Sequence, residues 1–476
     1  MEKKLGIWGF GVVGKSALKF FSLQFKNCDI GIWDQRRLSN QEINLIKSFN
    51  ASFFNHINID LKTFFNRYDH ILVSPGIDIK KIIGKHYSSC YTEKFFCELD
   101  IFSDYFEKKT VSITGSLGKT TIITLLHSLS KGIGLKSVIG GNIGTGMLNL
   151  IHDQLKTEIA FLELSSFQLE DSKKFSPHIA VCNNFYPNHL DRHISLQDYF
   201  FAKFKIFKYQ TKVDFALLNA DFLFMEQGFV GKINDIKSKK CFVTFDFEKT
   251  LNQIKKLKLK SYAIFFVKNN SLFVSIYPFI SFICIFNFSF LPEITFKENW
   301  AFILAILYLL NIDLQFFEKY FLKNKHRYFI RNYENVLEHR LEKFVSINGV
   351  EFYNDSKATI VEATYSALKI LDKKERPIIL ILGGLNKGVD RKPFIKKLPL
   401  IKNLKYVFCF GKKFKDFDLF PQYSSLKQLL IVIIKLSKSG DIVLFSPGGA
   451  SFDLFDNYRH RGKVFKDLVL SLAKNN

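Results

Sequence analysis

A strand that runs into a glycine-rich turn and then into a helix leaves the rest of a chain few choices, and residues 109–126 have that form. Lys109-Thr110-Val111-Ser112-Ile113 reads as a buried strand, Thr114-Gly115-Ser116-Leu117-Gly118-Lys119-Thr120-Thr121 as the turn, and Ile122-Ile123-Thr124-Leu125-Leu126 as the first turns of a helix. Backbone N–H groups and the positive helix end then face one spot, which suits nucleotide phosphates. The expected ligands are ATP and Mg²⁺: Lys119 reaches the β/γ oxygens, the Thr120 hydroxyl holds the metal, and Gly115, Ser116, Gly118 and Thr121 complete the cradle. The loop is the shorter Gly-x-x-Gly-Lys-Thr form, with Ile113 where a longer one has glycine. Alone it also fits an ordinary strand-to-helix turn.

The first hundred residues alternate strands and helices: strands at 4–10, 29–33 and 70–73, and a helix over 14–24. That is a parallel α/β pattern. Gly9-x-Gly11-x-x-Gly14 lies at the first strand-to-helix turn, and Asp34 closes the second strand about twenty residues further on, as a dinucleotide fingerprint requires. It indicates a nucleotide-type ligand without saying which. A second α/β unit begins near Lys108, with strands at 159–164 and 179–183, and a third near Asn335, with strands at 378–383, 406–410 and 442–445 and a helix over 425–436. The fold class expected is α/β with three domains: a Rossmann-like one, a central one of P-loop ATPase type and a second Rossmann-like one. The stretch from Asp221 to Leu291 carries no motif and reads as a β-rich addition to the central domain.

With 476 residues the chain is too long for one core. Seven cysteines, scattered and never in a C-x-x-C pair, indicate neither a disulfide framework nor zinc, and a reducing cytoplasm fits them. The formal charge of +24 invites a nucleic-acid or membrane-surface reading. Its lysines are spread along the chain rather than gathered in a stripe, which argues against nucleic acid. Ser271 through Leu291 is uncharged and long enough to span a bilayer, but Pro278, Asn287 and the alternation Phe286-Asn287-Phe288-Ser289-Phe290 favour paired strands, so no membrane insertion is expected.

Four further segments carry chemistry. Glu163, at the end of an apolar strand, lies where parallel sheets put their ligands and can hold a hard cation; Ser165 capping a helix is the equally weighted alternative for that segment. Asn183 through His193 leaves another buried strand, and His189 beside a phosphate-bound Mg²⁺ is more economical there than a transition-metal site. Lys203, in a helical stretch over 199–209, reads on its own as a solvated surface lysine. In the last third, Glu338 to Glu342, Asn354 to Thr359, Gly383 to Gly388 and Ser446 to Asp453 are dense in groups that bind carboxylates and phosphates. Each alone fits a turn or a cap, but four in one domain favour a site.

Taken in order, these motifs resemble the Mur ligase superfamily, and within it the UDP-N-acetylmuramoyl-L-alanine:D-glutamate ligases of peptidoglycan synthesis. The resemblance covers nearly the whole chain except 221–291. It implies a UDP-binding domain over 1–106, an ATP-binding domain over 107–334 and an amino-acid-binding domain over 335–476. The N-terminal glycines then receive the UDP of the substrate, with Gly11, Val12, Val13, Asp34, Arg36 and Gly76 around it. The implied reaction joins D-glutamate to the lactoyl-alanine carboxylate through an acyl phosphate. Lys119, His189, Lys203, Asp355 and Lys357 are the implied catalytic residues. Thr120, Glu163, His189 and a carbamylated Lys203 are placed by the resemblance near the metals, Asn142 and Gln168 on the muramoyl substrate, Asn299, Arg340 and Asp355 on the nucleotide, and Thr359, Lys387, Ser451, Phe452 and Tyr458 around D-glutamate. A monomer is expected.

The chain departs from the family pattern at four places: Ser116-Leu117 for Thr-Asn in the loop, Asn188 for an acid before the motif histidine, Ile360 for asparagine after Asn354 to Thr359, and Gly448-Gly449 for alanine-cysteine. None removes a residue assigned to catalysis. A dehydrogenase reading of Gly9 to Gly14 leaves Lys119, Glu163 and Lys357 unexplained. A sister ligase or folylpolyglutamate synthase shares the ATP core but fits residues 446–462 poorly.

Overall fold

The computed structural model describes residues 4–84, 93–278, 281–291, 295–323, 338–411 and 415–474. Its frame is three sheets. The first holds Lys4–Trp8 (β1), Asp29–Trp33 (β2), Ser52–Phe54 (β3), His70–Val73 (β4) and Phe95–Phe96 (β5) in the order β3-β2-β1-β4-β5, all parallel. The second holds Lys109–Thr114 (β6), Ser137–Gly141 (β7), Ile159–Glu163 (β8), Ile179–Cys182 (β9), Phe215–Asn219 (β10), Lys239–Thr244 (β11), Ala263–Lys268 (β12), Ser271–Ile276 (β13) and Ile283–Asn287 (β14). Its order is β14-β13-β12-β11-β10-β9-β6-β8-β7. The third holds Glu342–Ile347 (β15), Val350–Asn354 (β16), Ile378–Gly383 (β17), Leu404–Phe410 (β18), Gln422–Tyr423 (β19) and Ile442–Phe445 (β20), ordered β15-β16-β20-β17-β18-β19.

The central strands are apolar on both faces, which is what a parallel sheet covered by helices demands: every residue of β8, β9, β17 and β20 is buried. The phosphate-loop strand β6 sits between β8 and β9, so the C-terminal ends of three buried strands converge there. In the first sheet the glycine fingerprint has its physical reason. Gly9 adopts φ +94°, and a Cβ on Gly14 would collide with the Gly9 carbonyl oxygen, so helix α1 (Val12–Gln24) can leave β1 this tightly only with glycine there.

The chain divides into two compact units, Met1–Phe185 with Gln197–His326, and Tyr186–Leu196 with Arg327–Asn476. The first two sheets share one unit and the third sheet lies in the other. The boundary expected at 334/335 falls outside the described residues. The stretch 221–291 adds four strands to the second sheet, as its reading as a β-rich addition expects, with two helices that the reading did not place. Helices Gln227–Asn234 and Phe247–Lys256 alternate with β11 and β12, extending the parallel sheet before β13 and β14 close it antiparallel. Within the uncharged run, Ser271–Ile276 pairs with Ile283–Asn287 as expected, but Phe288–Phe290 is a 3₁₀ turn rather than strand. Among the described residues no helix is long and apolar enough to cross a membrane.

Gly31 on β2 lies against the fully buried ring of Tyr68, and a Cβ there would overlap the phenol. Gly31→Ala is expected to lower stability by about 2–3 kcal/mol. Gly231→Ala, in the helix Gln227–Asn234 with open space around it, should be neutral or raise stability by up to about 1 kcal/mol. Urea unfolding of the two variants side by side checks both.

Candidate functional site

The loop after β6 is held in shape by two adjacent asparagines that follow β9. Asn184 Oδ1 accepts the backbone N–H groups of Ser116 at 3.0 Å and Leu117 at 2.9 Å, while Asn183 Nδ2 donates to Leu117 O at 2.7 Å. Gly115, at φ +147°, has no room for a Cβ, which would fall on Asn183 Oδ1. Gly118 sits at φ +79°, and a Cβ there would lie 2.6 Å from Asn299 Oδ1. Ser116, expected in the phosphate cradle, has its amide bonded to Asn184, while the first-turn amides of helix α2 (Lys119–Gly132) lie at the helix end that favours anions. Asn299, on the buried helix Lys297–Leu309, is brought against the loop.

Charge gathers on this loop. Lys119 Nζ donates to Gly115 O at 2.8 Å, and Lys203 Nζ donates to the same oxygen at 2.9 Å. Lys203 overturns its reading as a surface lysine: on helix α3 (Leu196–Phe204) it is 3% exposed and lies over the Tyr199 ring, because this helix buries the face carrying it. Burial lowers its ammonium from the ordinary 10.5 to about 8, against the pull of Cys182 and Glu163. Glu163 ends β8 with Oε2 accepting from Thr120 Oγ1 at 2.6 Å and Oε1 accepting from Asn142 Nδ2 at 3.1 Å. A hydroxyl and a carboxylate oxygen at one sheet edge, beside a loop stripped of Cβ atoms, are a donor set that fits Mg²⁺ and phosphate. The cap reading of this segment is borne out, since Ser165 caps the helix Ser166–Glu170. That cap takes up Gln168 Oε1, which accepts from Ser165 N and Oγ at 3.0 Å each.

At the first sheet, Gly11 and Gly76 border open space and Val12 is exposed, so the turn is accessible. Asp34 is not a free acceptor. Burial favours its neutral form, but bonds from Arg36 and the Phe10 N–H, at 2.7 Å to Oδ2, outweigh it and hold the carboxyl below its ordinary range. The acid shapes the turn and Arg36, half exposed, presents the charge.

The second unit gathers the four predicted segments of the last third at the C-terminal ends of β16, β17 and β20. Asp355 Oδ2 accepts from Ser446 Oγ at 2.6 Å and Oδ1 accepts from Leu341 N at 3.1 Å. Burial raises Asp355 to about 7, although Ser446, the Leu341 N–H, Arg340 and Arg461 all favour its charged form. Lys357 Nζ stands 3.8 Å above the Tyr458 ring, at the start of helix α4 (Tyr458–Lys474). Tyr458, expected beside the amino acid, thus also steadies Lys357. Ser451 is buried, whereas Phe452 is 71% exposed, and Lys387 adopts φ +54°. Thr359 lines a small cavity with Glu362, Asn386, Arg391 and Gly448. The His189 segment belongs to this unit: Leu190 N donates to Lys387 O at 3.1 Å, and Asn188 Oδ1 accepts from His189 N at 3.0 Å. The segment that carries His189 thus packs beside Lys387 within the second unit.

Several contributors escaped the sequence reading. Arg461 is fully buried, donating to Ser356 Oγ and O and to Gly449 O at 2.7–3.0 Å, and Arg391 donates to Gly384 O at 2.7 Å. The Gly448-Gly449 departure has a steric reason: a Cβ on Gly449 would lie 2.5 Å from Gly383 O, and Gly448 sits at φ +65°. Asn183 and Asn184 carried a usable signal, two amides directly behind a buried strand. The arginines carried none.

Residues 113–281 match the Mur ligase middle domain. A UDP-N-acetylmuramoylalanine--D-glutamate ligase of Thermosipho africanus is 30% identical over 99% of both chains. One from Christiangramia forsetii is 31% identical over 99% of this chain and all of its own. The crystal structure of the MurF ligase from Thermotoga maritima in complex with ADP superposes with a TM-score of 0.54 at 14% identity, over 94% of this chain and 95% of that one, a likeness of fold. The chain belongs to the Mur ligase superfamily. Within it, it is related to the UDP-N-acetylmuramoylalanine--D-glutamate ligase family.

The buried lysine makes a stability prediction. The unfolded chain keeps the Lys203 proton up to 10.5 while the folded chain releases it near 8, so the penalty is complete below pH 8 and disappears as pH rises to 10.5. Lys203→Met should therefore gain roughly 1–3 kcal/mol at pH 7, and the gain should vanish toward pH 10.5. Urea midpoints at several pH values check the sign.

Proposed function

We propose that this chain is an ATP- and Mg²⁺-dependent ligase that joins D-glutamate to UDP-N-acetylmuramoyl-L-alanine, a cytoplasmic step in building peptidoglycan precursors. The observation that carries the reading is the match to D-glutamate ligases over 99% of both chains, which takes in the third sheet as well as the ATP loop.

The geometry supports a division of labour. In the first unit, Lys119 and the first-turn amides of α2 receive the β- and γ-phosphates, and Thr120 and Glu163 hold Mg²⁺, which neutralises phosphate charge when bound. The substrate carboxylate attacks the γ-phosphorus, ADP leaves, and an acyl phosphate remains. The D-glutamate amine then attacks the acyl carbon, and the tetrahedral adduct expels inorganic phosphate. Lys203 acts as a carbamate: CO₂ adds to its free amine with loss of a proton, turning a cation into a carboxylate beside the metal. An ammonium lowered to about 8 supplies that free amine near neutral pH. In the second unit, Asp355, Arg340 and Lys357 orient the nucleotide and the transferring phosphoryl group, and Thr359, Lys387 and Ser451 offer hydroxyls and a cation to the two carboxylates of D-glutamate.

The test is ADP release from ATP, Mg²⁺ and UDP-N-acetylmuramoyl-L-alanine, with D-glutamate, L-glutamate, L-alanine and diaminopimelate compared in parallel. Turnover restricted to D-glutamate is expected; turnover with another amino acid would overturn the acceptor assignment. Glu163→Gln should reduce kcat by about 100-fold or more while the unfolding midpoint stays near that of the parent chain.

A further inference from the structure

The five residues between β7 and the helix Met147–His152 form a turn that is pinned at both ends. At one end Asn142 N donates to Glu163 O at 2.8 Å, and Asn142 Nδ2 donates to Glu163 Oε1 at 3.1 Å. At the other end Gly146 is wedged between two helices: a Cβ on it would lie 2.7 Å from Ser16 Oγ on α1 and 3.2 Å from Glu98 Oε1 on the helix Glu98–Tyr105. Ser16 and Glu98 are each 3% exposed, and among the described residues neither the Ser16 hydroxyl nor either Glu98 oxygen has a well-formed hydrogen bond. Buried polar groups are rarely left so, and for a carboxylate the cost is greatest. Burial accordingly raises Glu98 from the ordinary 4.5 to about 7, against the weaker pull of the Met147 and Leu148 amides, which favour its charge.

The other titratable groups of the elements packed around Glu98 are turned elsewhere. On α1, Lys15 pairs with Glu42 and Lys19 is exposed. On the Glu98 helix, Asp100 accepts from Ser172 Oγ and from the amides of Lys173 and Lys174, Asp104 pairs with Lys174, and the Tyr105 ring lies on Phe20. Cys97, just before that helix, is a buried thiol that burial keeps neutral. His152, at the far end of the Met147 helix, is exposed, as are Asp153 and Lys156 beyond it, and Glu170 on the helix Ser166–Glu170 pairs with Lys80.

We propose that Glu98 is a positioning residue that seats the Asn142 turn through its own proton: as the acid it lies dry among three helices and the turn stays against Glu163, and as the carboxylate it is drawn toward water and the turn loosens. The sign follows from linkage. A group that holds its proton more tightly when buried than in water favours the closed arrangement while protonated, so closure weakens as pH rises through about 7. Loosening the turn removes the Asn142 donor from Glu163 Oε1, so a proton taken up at one buried carboxyl sets the partners of another. Glu98 itself touches no reacting atom. The inference is independent of the substrate assignment, since it rests on contacts within the first unit and its readout is not turnover.

The experiment is hydrogen–deuterium exchange of the full chain, followed by mass spectrometry over a peptide spanning Asn142–Leu148 at about pH 6 and about pH 8, each corrected for its intrinsic exchange rate. In the parent chain protection should fall about tenfold, since a titrating group shifts an equilibrium by up to that factor per pH unit. In Glu98→Gln, a neutral side chain of the same shape, protection should be equal at the two values. The buried strand Ile179–Cys182 is the internal control and should not change in either chain. Constant protection in the parent chain overturns the proposal, as does an equal fall in Glu98→Gln or a fall shared by the control strand. Should Glu98→Gln not fold, Ser16→Ala, which leaves the carboxyl in still less polar surroundings, should deepen the fall; an unchanged or smaller one overturns the proposal as well.

Discussion

Two ammonium groups share one carbonyl oxygen. Lys119 and Lys203 approach Gly115 O from different helices, at 2.8 and 2.9 Å, and much of the first unit's design follows from keeping them there. Like charges meeting at a neutral acceptor repel, and in a buried setting that repulsion is poorly screened. The arrangement holds because α2 and α3 are anchored elsewhere by apolar packing: Ile122, Ile123, Leu125 and Leu126 on one helix and Tyr199, Phe200 and Phe204 on the other are all buried. Two cations held this close together are suited to an anionic ligand. Glu163, at the end of β8, favours the charged form of Lys203 and so offsets part of the cost of burying it.

The second unit solves a different problem, how to tie several glycine-rich turns together at one end of a sheet. Arg461 bridges the Ser356 and Gly449 turns, Arg391 ties down the Gly384 turn, and Leu385 and Ala450 exchange backbone bonds at 2.9 and 2.8 Å. Burial lowers both guanidinium groups to about 10, yet each remains charged at any ordinary pH. A lysine in either place would be a poorer tie, because one guanidinium serves several acceptors in fixed directions. Asp355 owes its own balance to this frame: Arg461 nearby favours the carboxylate that burial disfavours.

The sheets were largely legible because buried parallel strands announce themselves. Asp29–Trp33, His70–Val73, Ile378–Gly383 and Ile442–Phe445 stand where apolar periodicity puts them. The two helices within 221–291 were not legible because they are short, at 8 and 10 residues, and Phe-dense strands dominate the composition. Motif residues were legible wherever a strand ended in glycine, hydroxyl or carboxylate. Burial of a particular polar side chain was not: Lys203 looks like any helix-surface lysine until the helix is docked, and the Arg391 and Arg461 contacts depend on turns far away in sequence. The difference between Ser451, buried, and Phe452, largely exposed, is likewise set by how one turn faces its neighbours.

The Asn184 side chain, which occupies the amides of Ser116 and Leu117, also bears on how a ligand of this loop would be received. A phosphate loop that orders only around its ligand charges the entropy of that ordering to the binding constant. Here four side-chain bonds with two asparagines, each 3.0 Å or shorter, hold the turn in shape. An anion approaching this turn would meet a loop already formed, so little ordering entropy would oppose its binding.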